Sequence, residues 1–135
     1  MESTKPKMKF RQIFFCDMAI QEVNTGKFTL VGLFRSITAP AFPHNHSRMH
    51  IFFELTDVEK MPASIKLIIK NPDGKTIAES GGPFVSQDKV SNINVNFVLL
   101  GLPLEQPGDY LVEAMINNDV VSSSILPVLK SPTTS

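Results

Sequence analysis

Tryptophan is absent from this 135-residue chain, and it holds one tyrosine, Tyr110, and one cysteine, Cys16. A lone cysteine cannot close an intramolecular disulfide, so no disulfide framework braces the fold and a reducing compartment is expected. An excess of either charge is also missing. Thirteen basic residues meet thirteen acidic ones, and no block of like charges occurs anywhere. A phosphate backbone or an anionic lipid surface recruits proteins through such blocks, so neither nucleic acid nor membrane is the expected partner. No apolar run approaches the roughly 18 residues of a membrane-spanning helix. Lys5, Lys7, Lys9 and Arg11 stand before apolar Ile13 to Cys16 in the manner of a signal peptide. Asp17, Gln21 and Glu22 then break that stretch, and no small-residue cleavage site follows, so the expected location is the cytoplasm. No segment carries a helical period, and no Gly-rich phosphate cradle, nucleophile elbow or Ser-His-Asp order can be assembled. No cofactor is therefore expected.

What is present is a period of two. Ile93, Val95, Phe97 and Leu99 alternate with Asn92, Asn94 and Asn96, which fits a strand with one wet face. Asn is a poor strand former, so burial of the opposite face must hold these residues extended. The same alternation marks Met49 to Leu55, Ile65 to Ile69 and Tyr110 to Ile116. Phe14, Cys16, Met18 and Ile20 share parity in an earlier run. Phe28 to Ile37 is apolar on both parities and reads as a central strand covered on both faces. Turn chemistry punctuates these runs at Asn24 to Lys27, Asn71-Pro72-Asp73-Gly74 and Asn117-Asn118-Asp119. Gly81-Gly82-Pro83 reads as a loop, and Pro103 and Pro107 are expected to end the strand that begins near Ser91.

Extended runs at regular spacing, without helices between them, predict an all-β fold. The expected form is an immunoglobulin-like sandwich of two antiparallel sheets with about seven to eight strands. A small closed or partly open β-barrel is the alternative. The expected organisation is a flexible N-terminal tail over residues 1–7, one domain over 8–129 and a flexible C-terminal tail over 130–135.

Several short words, Cys16-Asp17, Gly26-Lys27 running into Leu30-Val31-Gly32-Leu33-Phe34, Phe42-Pro43, Asn71-Pro72-Asp73-Gly74 and Pro107-Gly108-Asp109-Tyr110, span most of residues 16 to 128. In these the chain resembles an uncharacterised family of small bacterial proteins. Pro107-Gly108-x-Tyr110 also resembles the entry to a late strand in immunoglobulin-like and macroglobulin-like domains, where a Tyr hydroxyl bonds back to the backbone. The resemblance implies a fold and carries no activity or functional residue.

Four constellations are candidates for function. His44, His46 and His50 are all the histidines present and share parity with Glu54, so a His-x-His pair on an extended segment could hold a divalent metal. Solvated loop histidines are the alternative. Cys16 beside Asp17 could be a thiol nucleophile, although strand neighbours point to opposite faces, and buried filler is the simpler role. Asn92, Asn94 and Asn96 form an amide stripe suited to carbohydrate hydroxyls, or else a solvated outer face. Apolar loops carrying Phe42, Phe84, Leu102 and Leu104 either plug the ends of the sandwich or contact a partner. The reading these support is a non-catalytic interaction module with a protein partner or self-association. A ligand-binding role at the Asn stripe or the histidines is the alternative, and a metal-dependent enzyme is third.

Overall fold

Burial on alternate positions, with Pro, Gly and Asn at the breaks, builds a chain of strands. The computed structural model describes residues 9–10, 12–56, 64–83 and 93–132, and among them there is no helix. The strands are β1 (Lys9–Phe10), β2 (Phe14–Gln21), β3 (Phe28–Phe34), β4 (Ile37–Ala39), β5 (His44–Thr56), β6 (Ser64–Lys70), β7 (Thr76–Pro83), β8 (Ile93–Leu104), β9 (Gly108–Ile116) and β10 (Asp119–Lys130). They form two sheets. In the first, β1 and β2 lie along one side of β5, β8 lies along its other side, and β3 is the outer neighbour of β2. Lys9 stands opposite Thr56 but Phe14 opposite Phe52, so the β1–β2 line slips by one residue on the way. The second sheet runs β4, β10, β9, β6, β7, with β4 parallel to β10 and the other pairs antiparallel.

The core fills the space between these layers. Met49, Ile51, Phe53 and Leu55 of β5 and Ile93, Val95 and Phe97 of β8 meet Ile65, Leu67 and Ile69 of β6 and Val112, Ala114 and Ile116 of β9. Each large aliphatic or aromatic side chain removed from water there contributes about 1.5–3 kcal/mol. Local chemistry at the turns agrees with the layers. Asn71 Oδ1 accepts from the amides of Asp73 and Lys75, and the Gly74 amide donates to the Asn71 carbonyl, closing the β6–β7 hairpin. Asn117 and Asn118 both have positive φ, 51° and 71°, the pair that a tight hairpin with the sheet's own twist requires. Tyr110 donates its hydroxyl to the Gln106 carbonyl at 2.7 Å, the bond back to the backbone that its motif implies.

Several expectations are corrected. Phe28 to Ile37 is not one covered central strand. It divides into β3, at the edge of the first sheet, and β4, in the second. Arg35 and Ser36 carry the chain from one layer to the other. Gly81 and Gly82 are strand, not loop, because β6 passes so close that a Cβ at Gly81 would run into the Ile65 carbonyl oxygen. Pro103 does not end its strand either, since among the described residues β8 has β5 as its single ladder partner and an edge tolerates a missing N–H. On β2, Ile13 and Phe15 enter the core while Met18 and Ile20 stay exposed on the opposite face.

Candidate functional site

The long β5–β8 ladder changes hands midway. From Met49 to Leu55 and from Ile93 to Phe97 the odd-numbered residues face the core. Beyond Arg48 and Leu100 the inward positions are even-numbered. Gly101, at φ 79°, supplies the left-handed residue at which the ladder turns over. Leu102 and Leu104 are consequently 2% and 0% exposed, opposite His46 and His44, whereas Leu100 is 74% exposed. Leu102 and Leu104 are thus core residues and are withdrawn as partner contacts. Phe42 is half-buried against the same core, across a cis bond to Pro43. Phe84 lies outside the described residues.

The same turnover separates the three histidines. His44 and His46 open β5 rather than lying in a loop, with ring centroids 6.4 Å apart, and His46 stands 5.9 Å from the Phe34 ring. Its Nε2 is buried and has no hydrogen-bond partner among the described residues. Burial holds the His46 imidazole below its usual range, the charge of His44 pushes the same way, and Asp17 opposes both. Asp17 lies on β2, its carboxylate filling the place a side chain at Gly32 would take. His50, in contrast, sits on the outer face of the first sheet. Its Nδ1 lies 3.1 Å from Asn96 Oδ1 and its Nε2 3.3 Å from Arg48 Nη2. An amide oxygen only accepts and a guanidinium only donates, so the proton belongs on Nδ1 and Nε2 receives. Among the described residues, no three of the types His, Cys, Asp and Glu are grouped so as to hold a metal ion. The structure therefore does not gather His44, His46 and His50 into a ligand set.

Cys16 is fully buried opposite His50 in the β2–β5 pairing, and its thiol donates to the His50 carbonyl at 3.8 Å. Burial pushes this thiol up, with the Asp17 charge adding to the effect and a backbone bond at Met18 opposing it. A high, enclosed thiol is a poor nucleophile, and both ring nitrogens of the adjacent histidine are already engaged. Asn94 and Asn96 are exposed on the outer face, with Asn96 committed to His50. Asn92 lies outside the described residues.

An exposed sheet edge is one route of interaction that the sequence suggests, but the sequence does not assign the strand that forms it. Among the described residues β3 ends the first sheet, and its seven residues, FTLVGLF, contain no charge. Its outward Val31 and Leu33 are 45% and 58% exposed, and they stand beside Met18 and Cys16 of β2. In the second sheet, β4 pairs with β10 only from Val128 to Lys130, so the preceding residues of β10 lack a neighbour on that side among the described residues. A cleft of about 510 Å³ lies between these edges, lined by Phe14, Phe15, Leu33, Phe34 and Arg35 on one wall and by Ser124 and Ile125 on the other. The signal that could have found both edges was present: two strand-length stretches with no charge to discourage pairing.

Comparison with known proteins places the fold but not an activity. The chain is similar to the solved structure of the Pseudomonas fluorescens alkylpurine DNA glycosylase AlkC, bound to DNA containing an abasic site analog. The TM-score is 0.54 at 10% identity, over 90% of this chain and 30% of the glycosylase. At that identity the likeness is one of fold alone. No curated protein matches the chain. A model of a family of unknown function matches residues 11–129, and by that match the chain belongs to the DUF6941 family.

Proposed function

We propose that this protein is a non-catalytic interaction module that binds an extended segment of another protein along β3. The observation that carries the reading is an uncharged seven-residue strand at a sheet edge, bearing exposed Val31 and Leu33. An edge of this kind offers a row of backbone donors and acceptors for one more strand, and natural sheets that avoid such pairing blunt the edge with charge. Here the cations stand just outside, at Lys27 and Arg35, both exposed, so a partner strand with acidic residues at its ends would match them. Exposed Met18 and Ile20 extend the apolar surface across the neighbouring strand. The Tyr110 bond to Gln106 supports an immunoglobulin-like reading of the sandwich, and a single buried thiol suits the cytoplasm.

The test is capture from the native cell with the wild-type chain and with a Val31→Lys, Leu33→Lys variant. Both substituted positions are exposed, so the melting temperature should fall by only a few degrees. A protein held by the wild type and lost with the variant supports the reading. Identical recovery by both would overturn it.

A further inference from the structure

The second open edge has different properties, and from them we infer that β10 pairs with β10 of a second copy of this chain, in antiparallel register about a twofold axis. Four observations lead there. First, the edge is bounded. Pairing between β10 and β9 slips between Val120 and Ser122, making Val121 an extra, bulged residue, and β4 takes up the edge from Val128 onward. Between these limits lies Ser122–Pro127, a regular segment about as long as an average strand. Second, there is room. The cleft of about 510 Å³ opens beside Ser124 and Ile125, the middle of that segment. Third, the segment is free of charge, with Ile125 49% exposed beside exposed Ser123. Fourth, among the open edges, that of β3 opposes self-pairing about its centre. Antiparallel pairing of β3 with itself about its central residue, Val31, would set Lys27 of one copy opposite Arg35 of the other, since 27 and 35 are equidistant from 31. Like charges directly opposite destabilise a ladder. β10 meets no such conflict.

The register follows from symmetry and from Pro127. In an antiparallel ladder narrow and wide pairs alternate, so a twofold axis must pass through a residue paired with its own copy. An axis at Ser124 pairs Ser122 with Leu126 and Ser123 with Ile125 of the second copy. An axis at Ile125 would instead bring Pro127, which has no N–H, into the paired segment. Ser124 is therefore placed on the axis. The pairing unites the two second sheets into one continuous sheet through both copies. It uses a different edge from the β3 reading, although Leu33 and Phe34 of β3 line the same cleft, so the two are told apart by substitutions outside it.

Sedimentation velocity on the full chain, up to about 0.1 mM, tests the inference. The wild type should show a concentration-dependent dimer. Ser123→Lys and Ile125→Glu, each at an exposed position, should each weaken dimerisation by roughly tenfold or more, because each sets two like charges diagonally across the axis. The double variant S123K/I125E sets opposite charges at the mutually facing positions and should recover the dimer. Val31→Lys alone, outside the lining of that cleft, should dimerise as the wild type does. A wild type that stays monomeric throughout overturns the inference, as do single variants that dimerise unchanged or a double variant that fails to recover.

Discussion

The two halves of the β5–β8 ladder are built from the same kinds of residue and obey opposite rules. In the half from Met49 to Leu55, paired with Ile93 to Leu99, odd positions are core and even positions place buried His50 and exposed Asn94 and Asn96 on the opposite face. In the half from His44 to His46, paired with Leu102 to Leu104, the even positions turn inward, with Leu102 and Leu104 in the core, and Asn45 and Pro103 face outward. One glycine with positive φ separates the two regimes. The side-chain period of a strand survives only while the backbone stays regular, and here the faces exchange at the positive φ of Gly101 while the pairing register runs on unbroken.

Substitutions on either side of that point can break the comparison. The largest effect is expected at Phe53→Ala, in the regular half, where a fully buried ring facing Phe97 at 6.1 Å is removed. Chemical denaturation should show a loss of about 3–5 kcal/mol. Leu104→Ala, in the inverted half, should cost about 2–5 kcal/mol by the same measurement, while Leu100→Ala, of the same parity and the same residue type, should stay within about 0.5 kcal/mol. If Leu100 and Leu104 proved equally sensitive, the turnover at Gly101 would be wrong.

A smaller effect should follow pH. His46 titrates below its unfolded reference of 6.5, chiefly because of burial. The unfolded chain therefore binds the proton more readily. The contribution is fully present above pH 6.5 and is lost as pH falls from there through the folded value. Melting temperatures measured from pH 7 to pH 5 should decline more steeply for the wild type than for His46→Gln, by a degree or two. Parallel profiles for the two proteins would show that His46 is solvated in the native state.

The regular parts of this molecule were legible from residues alone. Ile65, Leu67 and Ile69 alternate as a half-buried strand should, and Asn71-Pro72-Asp73-Gly74 turns as its chemistry demands. Tyr110 to Ile116 is buried on the expected parity. Legibility failed where tertiary position overrides local pattern. Phe28 to Phe34 looks doubly covered because both parities are apolar, but coverage depends on what lies beside a strand, and β3 is an edge. Leu102 and Leu104 looked like an exposed loop because prolines and a glycine surround them, yet an edge strand accommodates both residue types. At the candidate site, the grouping of three histidines within seven residues was real in sequence and was dissolved by the change of face between His46 and His50.

Cys16, enclosed where β2 meets β5, has a practical consequence for anyone studying this chain. A soluble alkylating reagent can reach its sulfur only when that seam parts, so the speed of covalent labelling in native buffer reads the opening frequency of the first sheet. One natural atom thus serves as a stopwatch for local unfolding, without any introduced dye or mutation.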